Sequence, residues 1–84
     1  MRTGVQWTGT LNANQTRRWF TFNWSPNHHV VWYMMPTSPR RGNPQIDWDV
    51  AVERASSNGV TYWITVKNLT DRRVTFEGRY AILS

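Results

Sequence analysis

The chain has 84 residues and no cysteine, and ten Lys and Arg against five Asp and Glu give it a formal net charge of +5. Without cysteine it forms neither disulfides nor cysteine-ligated zinc sites, and its length predicts a single domain, residues 1–84. No apolar run approaches the ~20 residues of a membrane span, and the N-terminus has no signal-peptide hydrophobic region. We therefore expect no transmembrane segment and no secretory signal. A cytoplasmic protein, a protein released by a non-classical route and a bacterial surface module all fit this composition, so the compartment stays open.

Aromatic residues are the main source of a hydrophobic core in so short a chain. A domain of this size buries a modest share of its surface and is marginally stable without further support. The six Trp, three Tyr and three Phe can each bury about 150–250 Å². We therefore expect a dense aromatic core, with a partner subunit as a second source of stability.

The N-terminal part of the chain predicts two strands. Residues 5–11 and 19–24 alternate apolar with polar side chains, as half-buried strands do. A polar turn separates them. In the second strand the alternation places Trp19 on the polar side and predicts a core-facing row of Phe20, Phe22 and Trp24.

The third predicted strand, residues 30–35, is apolar on both sides. Such a strand is either covered on both faces or exposes a patch that marks an interface. This pattern favours a homo-oligomer with a predicted contact at Val31, Tyr33 and Met35. The segment 36–45 that follows contains three prolines and a glycine and predicts a loop that carries the chain to the opposing layer.

Residues 46–53, 60–68 and 74–83 show the clearest alternation in the chain. The middle segment is almost entirely β-branched or aromatic and predicts a central strand. Short turns join the three segments, which favours a meander in one sheet, with the first three strands opposite. Six short strands with polar turns and no helical periodicity predict an all-β fold without a helix, either a small antiparallel β-sandwich or a flattened barrel.

No arrangement of residues points to catalysis. Asp47, Asp49 and Glu53 share one side of a predicted strand, where carboxylates usually form a solvated face. His28 and His29 are adjacent at the end of a loop, and neighbouring residues rarely converge on one metal ion. No serine lies in a nucleophile elbow. We therefore predict a protein that is not an enzyme and has no metal or cofactor.

Six of the ten basic residues form three arginine pairs, each between two predicted strands. Arginine presents a planar donor fork that suits phosphate, sulfate and carboxylate. In an up-and-down arrangement alternate connections lie at the same end of the domain, so the pairs would create a positive field there. A Greek-key crossing would scatter them in part, so this expectation depends on the topology. Charged loops are also commonly just solvated. The predicted anion-binding residues are Arg17, Arg18, Arg40, Arg41, Arg72 and Arg73.

Three tryptophans fall outside the clean core-facing sides of their strands, and they are the predicted sugar-stacking residues: Trp19, Trp32 and Trp63. An exposed indole can stack on the C–H face of a sugar while polar side chains bind the hydroxyls. His28, at the end of the domain opposite the arginine loops, is predicted to contribute to such a polar rim. Tryptophan is also enriched in subunit interfaces, which is the structural alternative for all three.

The leading functional hypothesis is a lectin-like carbohydrate-binding module for acidic or sulfated glycans. One alternative is a nucleic-acid or polyanion binder that uses the arginine-rich loops, although carboxylates on the sheet face would repel a phosphate backbone. The other is a self-assembling structural subunit. No motif in the chain is specific enough to indicate a family.

Overall fold

The computed structural model describes all 84 residues and consists of six strands with no helix. The strands are β1 (Arg2–Leu11), β2 (Thr16–Trp24), β3 (Val30–Pro36), β4 (Ile46–Glu53), β5 (Val60–Asn68) and β6 (Val74–Ile82). They form two three-stranded antiparallel sheets, ordered β1-β6-β3 and β2-β5-β4. The predicted all-β sandwich is confirmed, and the sheets do not close into a barrel. The fold offers no helix that could cross a membrane.

Successive strands alternate between the two sheets, except in the β4–β5 hairpin. The predicted division of the first three strands from the last three is therefore wrong, because β2 joins β4 and β5 while β6 joins β1 and β3. Neighbours in sequence usually neighbour each other in a sheet, and this chain departs from that tendency. The Pro-rich connection between β3 and β4 does cross between the layers, as its composition predicts.

The core lies between the two central strands, β5 and β6. Every inward-facing side chain of β5 is buried, which confirms its central position. Aromatic rings from both sheets interlock around it; the Trp24 and Trp32 rings, for example, are 5.2 Å apart and nearly perpendicular, a favoured aromatic geometry. The eight fully packed residues of the core are Leu11, Trp32, Met34, Val60, Tyr62, Ile64, Val66 and Phe76.

The orientation of β2 is the reverse of the prediction over most of its length. Trp19 points inward, with its ring 5.3 Å from that of Phe76, whereas Phe20 and Phe22 point outward and are 58% and 61% exposed. The register then shifts between Thr21 and Trp24, and Asn23 has a left-handed φ of 66°, as in a β-bulge. This shift returns Trp24 to the core. Alternation fails here because both sides of the strand are aromatic.

Three connections meet at one end of the sandwich, as the alternating arrangement predicts. The N–H of Asn14 donates to the carbonyl of Thr70, and the N–H of Leu69 donates to the carbonyl of Gln45, both at 2.9 Å. These bonds join the β1–β2, β3–β4 and β5–β6 connections, which we call the loop end. Asn68 is fully buried at the last position of β5. Its side-chain amide donates to the carbonyl of Asn12 in the β1–β2 connection and to that of Arg72 in the β5–β6 connection.

Candidate functional site

The outer face of the β2-β5-β4 sheet carries a row of aromatic side chains. We call Phe22, Phe20 and Trp63 the aromatic row. The Phe22 and Phe20 ring centres are 6.2 Å apart with a tilt of 32°, and those of Phe20 and Trp63 are 5.0 Å apart with a tilt of 33°. Trp63 lies opposite Phe20 on the neighbouring strand, a position from which cross-strand side chains interact directly. Since Trp63 is half-buried, most of the free aromatic surface belongs to the two phenylalanines.

Two charged side chains contact Trp63, at one end of the aromatic row. The Arg18 guanidinium carbon lies 4.6 Å from the centre of the Trp63 ring, within the range of a cation–π interaction. The indole Nε1–H of Trp63 donates to Glu53 Oε1 at 2.8 Å. On the β4 side the residue opposite Trp63 is Ala51, whose methyl group leaves the edge of the indole open. The site therefore combines apolar surface with a cationic donor and an anionic acceptor.

The same face is mainly acidic along β4. Asp47 and Asp49 are exposed and lie on the same side of the strand as Glu53, which confirms the solvated carboxylate face predicted from their spacing. Lys67 and Arg18 are the basic residues on this face. No group of three or more His, Asp and Glu side chains could hold a metal ion. Carboxylates along the margin favour hydroxyl-bearing ligands over polyanions here.

The three predicted sugar-stacking tryptophans have three different environments. Trp63 is on the outer face, as predicted. Trp32 is 5% exposed, so the prediction that it stacks on a ligand is wrong; its two-sided apolar strand places it in the core. Trp19 is half-buried on the inner side of β2, so its predicted outward orientation is also wrong.

The arginine pairs separate into two groups. Arg40, Arg72 and Arg73 line one shallow cavity of about 320 Å³ at the loop end, and Arg40 forms a 3.3 Å ion pair with Asp71. Arg17 and Arg18 instead lie within β2, and each guanidinium is 4.6 Å from a tryptophan ring. The predicted positive cluster therefore forms only in part: three loop arginines share a cavity, whereas the other pair lies in the first turn-adjacent residues of β2, which begins at Thr16 and thus earlier than predicted. Arg41 is exposed in the β3–β4 connection.

The remaining predicted residues lie away from the aromatic row. His28 is exposed in the connection between β2 and β3, at the end of the domain opposite the loop end. Val31 and Tyr33 are exposed on the outer face of the other sheet, and Met35 is half-buried there. A shallow depression of about 460 Å³ includes Val31 and Tyr33. The predicted interface residues are therefore partly free to make contacts.

The sequence-based prediction missed Phe20, Phe22 and Glu53 as site residues. The signal that could reveal them is Asn23, a residue that tolerates the left-handed conformation of a bulge, since a bulge before Trp24 reverses the sides of the preceding residues. The aromatic row and the loop-end arginines are thus the two surfaces with ligand-binding chemistry. Comparisons of this chain with protein-family models, curated proteins and solved structures gave no match.

Proposed function

We propose that this protein binds carbohydrate on the outer face of the β2-β5-β4 sheet, with the aromatic row as the stacking surface. The observation that carries the proposal is the exposure of Phe20 and Phe22, 58% and 61%, in contact with a third ring that has charged hydrogen-bonding groups beside it. Two exposed phenylalanines on a sheet face are costly in water unless something covers them. A sugar would cover them with its C–H groups while keeping its hydroxyls near polar side chains.

Each part of the site has a distinct role in this proposal. Phe20 and Phe22 supply apolar contact area with little side-chain entropy to lose. Trp63 supports Phe20 at 5.0 Å and is itself fixed by Glu53. Arg18 can donate to a hydroxyl, a carboxylate or a sulfate group of the ligand, and it is the group that could bind a single acidic substituent of a glycan that is otherwise neutral.

The test is a glycan-array screen at low and high salt, followed by titration of the strongest hit into single-site variants. Phe20→Ala and Phe22→Ala are each expected to weaken binding by about tenfold or more, the equivalent of one lost aromatic contact. Leu83→Ala is the matched control, since Leu83 is similarly exposed near the C-terminus. Circular dichroism verifies that each variant is folded. Absence of any hit, or hits that tolerate both phenylalanine changes, would refute the proposal.

The loop-end arginines support a second candidate function, the binding of a sulfated polysaccharide or nucleic acid. Arg40, Arg72 and Arg73 converge on one cavity, and the only carboxylate bonded to them is Asp71. Binding at this end would weaken steeply with salt because neutralised phosphate or sulfate groups release counterions. The double change Arg72→Ala and Arg73→Ala should reduce this salt-sensitive binding and leave a salt-resistant glycan hit unchanged, which separates the two candidates.

A further inference from the structure

Both sheets end in strands whose outward backbone groups have no partner. β4 pairs with β5 without interruption from Ile46 to Glu53. The backbone hydrogen bonds formed by turns and loops do not involve β4, so its free edge has no partner. Edge strands are usually protected by prolines, bulges or charged side chains. β4 has no proline or bulge, and its charged side chains, Asp47, Asp49 and Glu53, all lie on the outer face of the sheet. Along β2 the stretch from Thr16 to Thr21 is equally regular and free on its far side.

The side of the sandwich formed by β3 and β4 has several exposed apolar side chains. Val50 and Val52 face the interior side of their sheet, yet they are 39% and 66% exposed because the opposing sheet does not extend over them. On the same side, the Tyr33 ring of β3 lies 5.2 Å from the ring of Trp48, which precedes both valines on β4. Val31 is exposed on the same strand as Tyr33. This side has a free strand edge together with uncovered apolar side chains.

The opposite side, formed by β1 and β2, complements it. The two strands are held together by a hydrogen bond from Gln6 Nε2 to Thr21 Oγ1 at 3.2 Å. Trp19 is half-buried and Val5 is exposed along this side. The exposed cations on it are Arg2, Arg17 and Arg18, whereas the β4 edge carries Asp47, Asp49 and Glu53. One side is thus basic and the other acidic.

We infer that copies of this chain associate head to tail, with the β3/β4 side of one copy against the β1/β2 side of the next, so that both sheets continue across the contact. The strand registers align the complementary groups, because Val5 precedes the register shift of β1 and Arg18 precedes that of β2. Asp49 and Arg18 both pair with Thr65, one on each side of it, so these residues form one row across the sheet. Tyr33 and Val5 flank Arg79 in the same way. When the sheets continue from one copy to the next, Asp49 of one copy therefore lies beside Arg18 of the next, and Tyr33 lies beside Val5.

The charges favour this arrangement over a symmetric dimer. β2 and β4 are both antiparallel to β5, so β4 of one copy runs parallel to β2 of the next. In a two-fold contact between two β4 strands, both strands would instead bring the carboxylates of Asp47, Asp49 and Glu53 to the same interface, where they repel one another. A head-to-tail contact uses different surfaces on its two sides, and it therefore continues beyond two copies into a closed ring or an open fibre.

A reciprocal charge exchange tests the contact, with sedimentation velocity in low salt as the readout. Wild-type protein is expected to sediment as multiples of 9.9 kDa larger than a dimer. Asp49→Arg alone and Arg18→Asp alone should each shift the protein to the monomer, because every contact then has two like charges. A mixture of the two variants should restore the large species, since every contact between unlike copies has opposite charges, and so should the double variant. Asp71→Arg and Arg41→Asp are controls of equal charge change at the loop end.

Every outcome bears on the inference. A wild-type monomer at high protein concentration overturns it, and so does a dimer that is indifferent to Asp49→Arg. The inference is also overturned if both single variants disrupt the large species and their mixture does not restore it. That result would mean that Asp49 and Arg18 do not face each other in the contact. Restoration by mixing supports it, and Val52→Lys, which adds a charge to the β3/β4 side, should then also yield the monomer.

Discussion

The Arg18 guanidinium lies 4.6 Å from the centre of the Trp63 ring, across the boundary between β2 and β5. An exposed cation–π contact of this kind contributes about 0.5–1 kcal/mol. Arg18→Gln, which keeps a polar but shorter side chain and removes the charge, is therefore expected to lower the free energy of unfolding by that amount. Urea unfolding followed by tryptophan fluorescence measures the change, with Arg41→Gln as the control. Equal losses in the two variants would show that the ring contact adds nothing.

Asn68 is the most constrained polar side chain in the protein. It is fully buried, its Nδ2 donates to the carbonyls of Asn12 at 3.0 Å and Arg72 at 2.6 Å, and its Oδ1 accepts from the N–H of Thr70 at 2.9 Å. Removing the amide breaks all of these bonds inside the fold and leaves the buried N–H of Thr70 without an acceptor, so Asn68→Ala should cost about 2–4 kcal/mol of stability. Thermal and urea unfolding both report the loss. The exposed Asn58→Ala should be neutral, and a similarly small effect at Asn68 would contradict its role in the loop end.

Gly78 and Trp7 pack so closely that no larger residue fits at position 78. A methyl group on Gly78 would overlap the Trp7 indole, which lies directly across the strand pair. Gly78→Ala is expected to destabilise the fold by about 1–3 kcal/mol, the usual effect of overpacking a core. The smaller ring of Trp7→Phe should recover part of that loss in the double variant. A double-mutant cycle measured by urea unfolding would refute the contact if the two effects were additive.

Tyr62 makes stability sensitive to alkaline pH. Burial raises the pKa of its phenol above the ordinary value of 10.0, because desolvation opposes the anion. Above pH 10 the unfolded chain therefore loses a proton that the folded protein keeps, and stability falls as the pH rises from 10 toward the higher folded pKa. Urea midpoints between pH 9 and 11 should decline more steeply for the wild type than for Tyr62→Phe. Parallel declines would mean that Tyr62 does not contribute.

The aromatic segment of β2 shows where sequence reasoning reaches its limit. Alternation predicts the buried side of a strand when one side is apolar and the other polar, as in β5, where the prediction is confirmed. Residues 19–24 place aromatic rings on both sides, and the bulge at Asn23 reverses the phase before Trp24. The side that packs is decided by the opposing sheet, where Phe76 receives the Trp19 ring. Phe20 and Phe22 are thereby left outside, and they form the candidate site.

Local periodicity and turn composition specify the fold class and the six strands, whereas the meeting of three connections at one end follows only if the chain takes an up-and-down course. Contacts between distant parts of the chain settle which strands pair, place the Trp32 ring in the core and put Arg18 over Trp63 rather than beside Arg72. These features depend on which nonadjacent residues meet across β2-β5-β4 and β1-β6-β3, and the alternation within a strand is the same for every choice of neighbour.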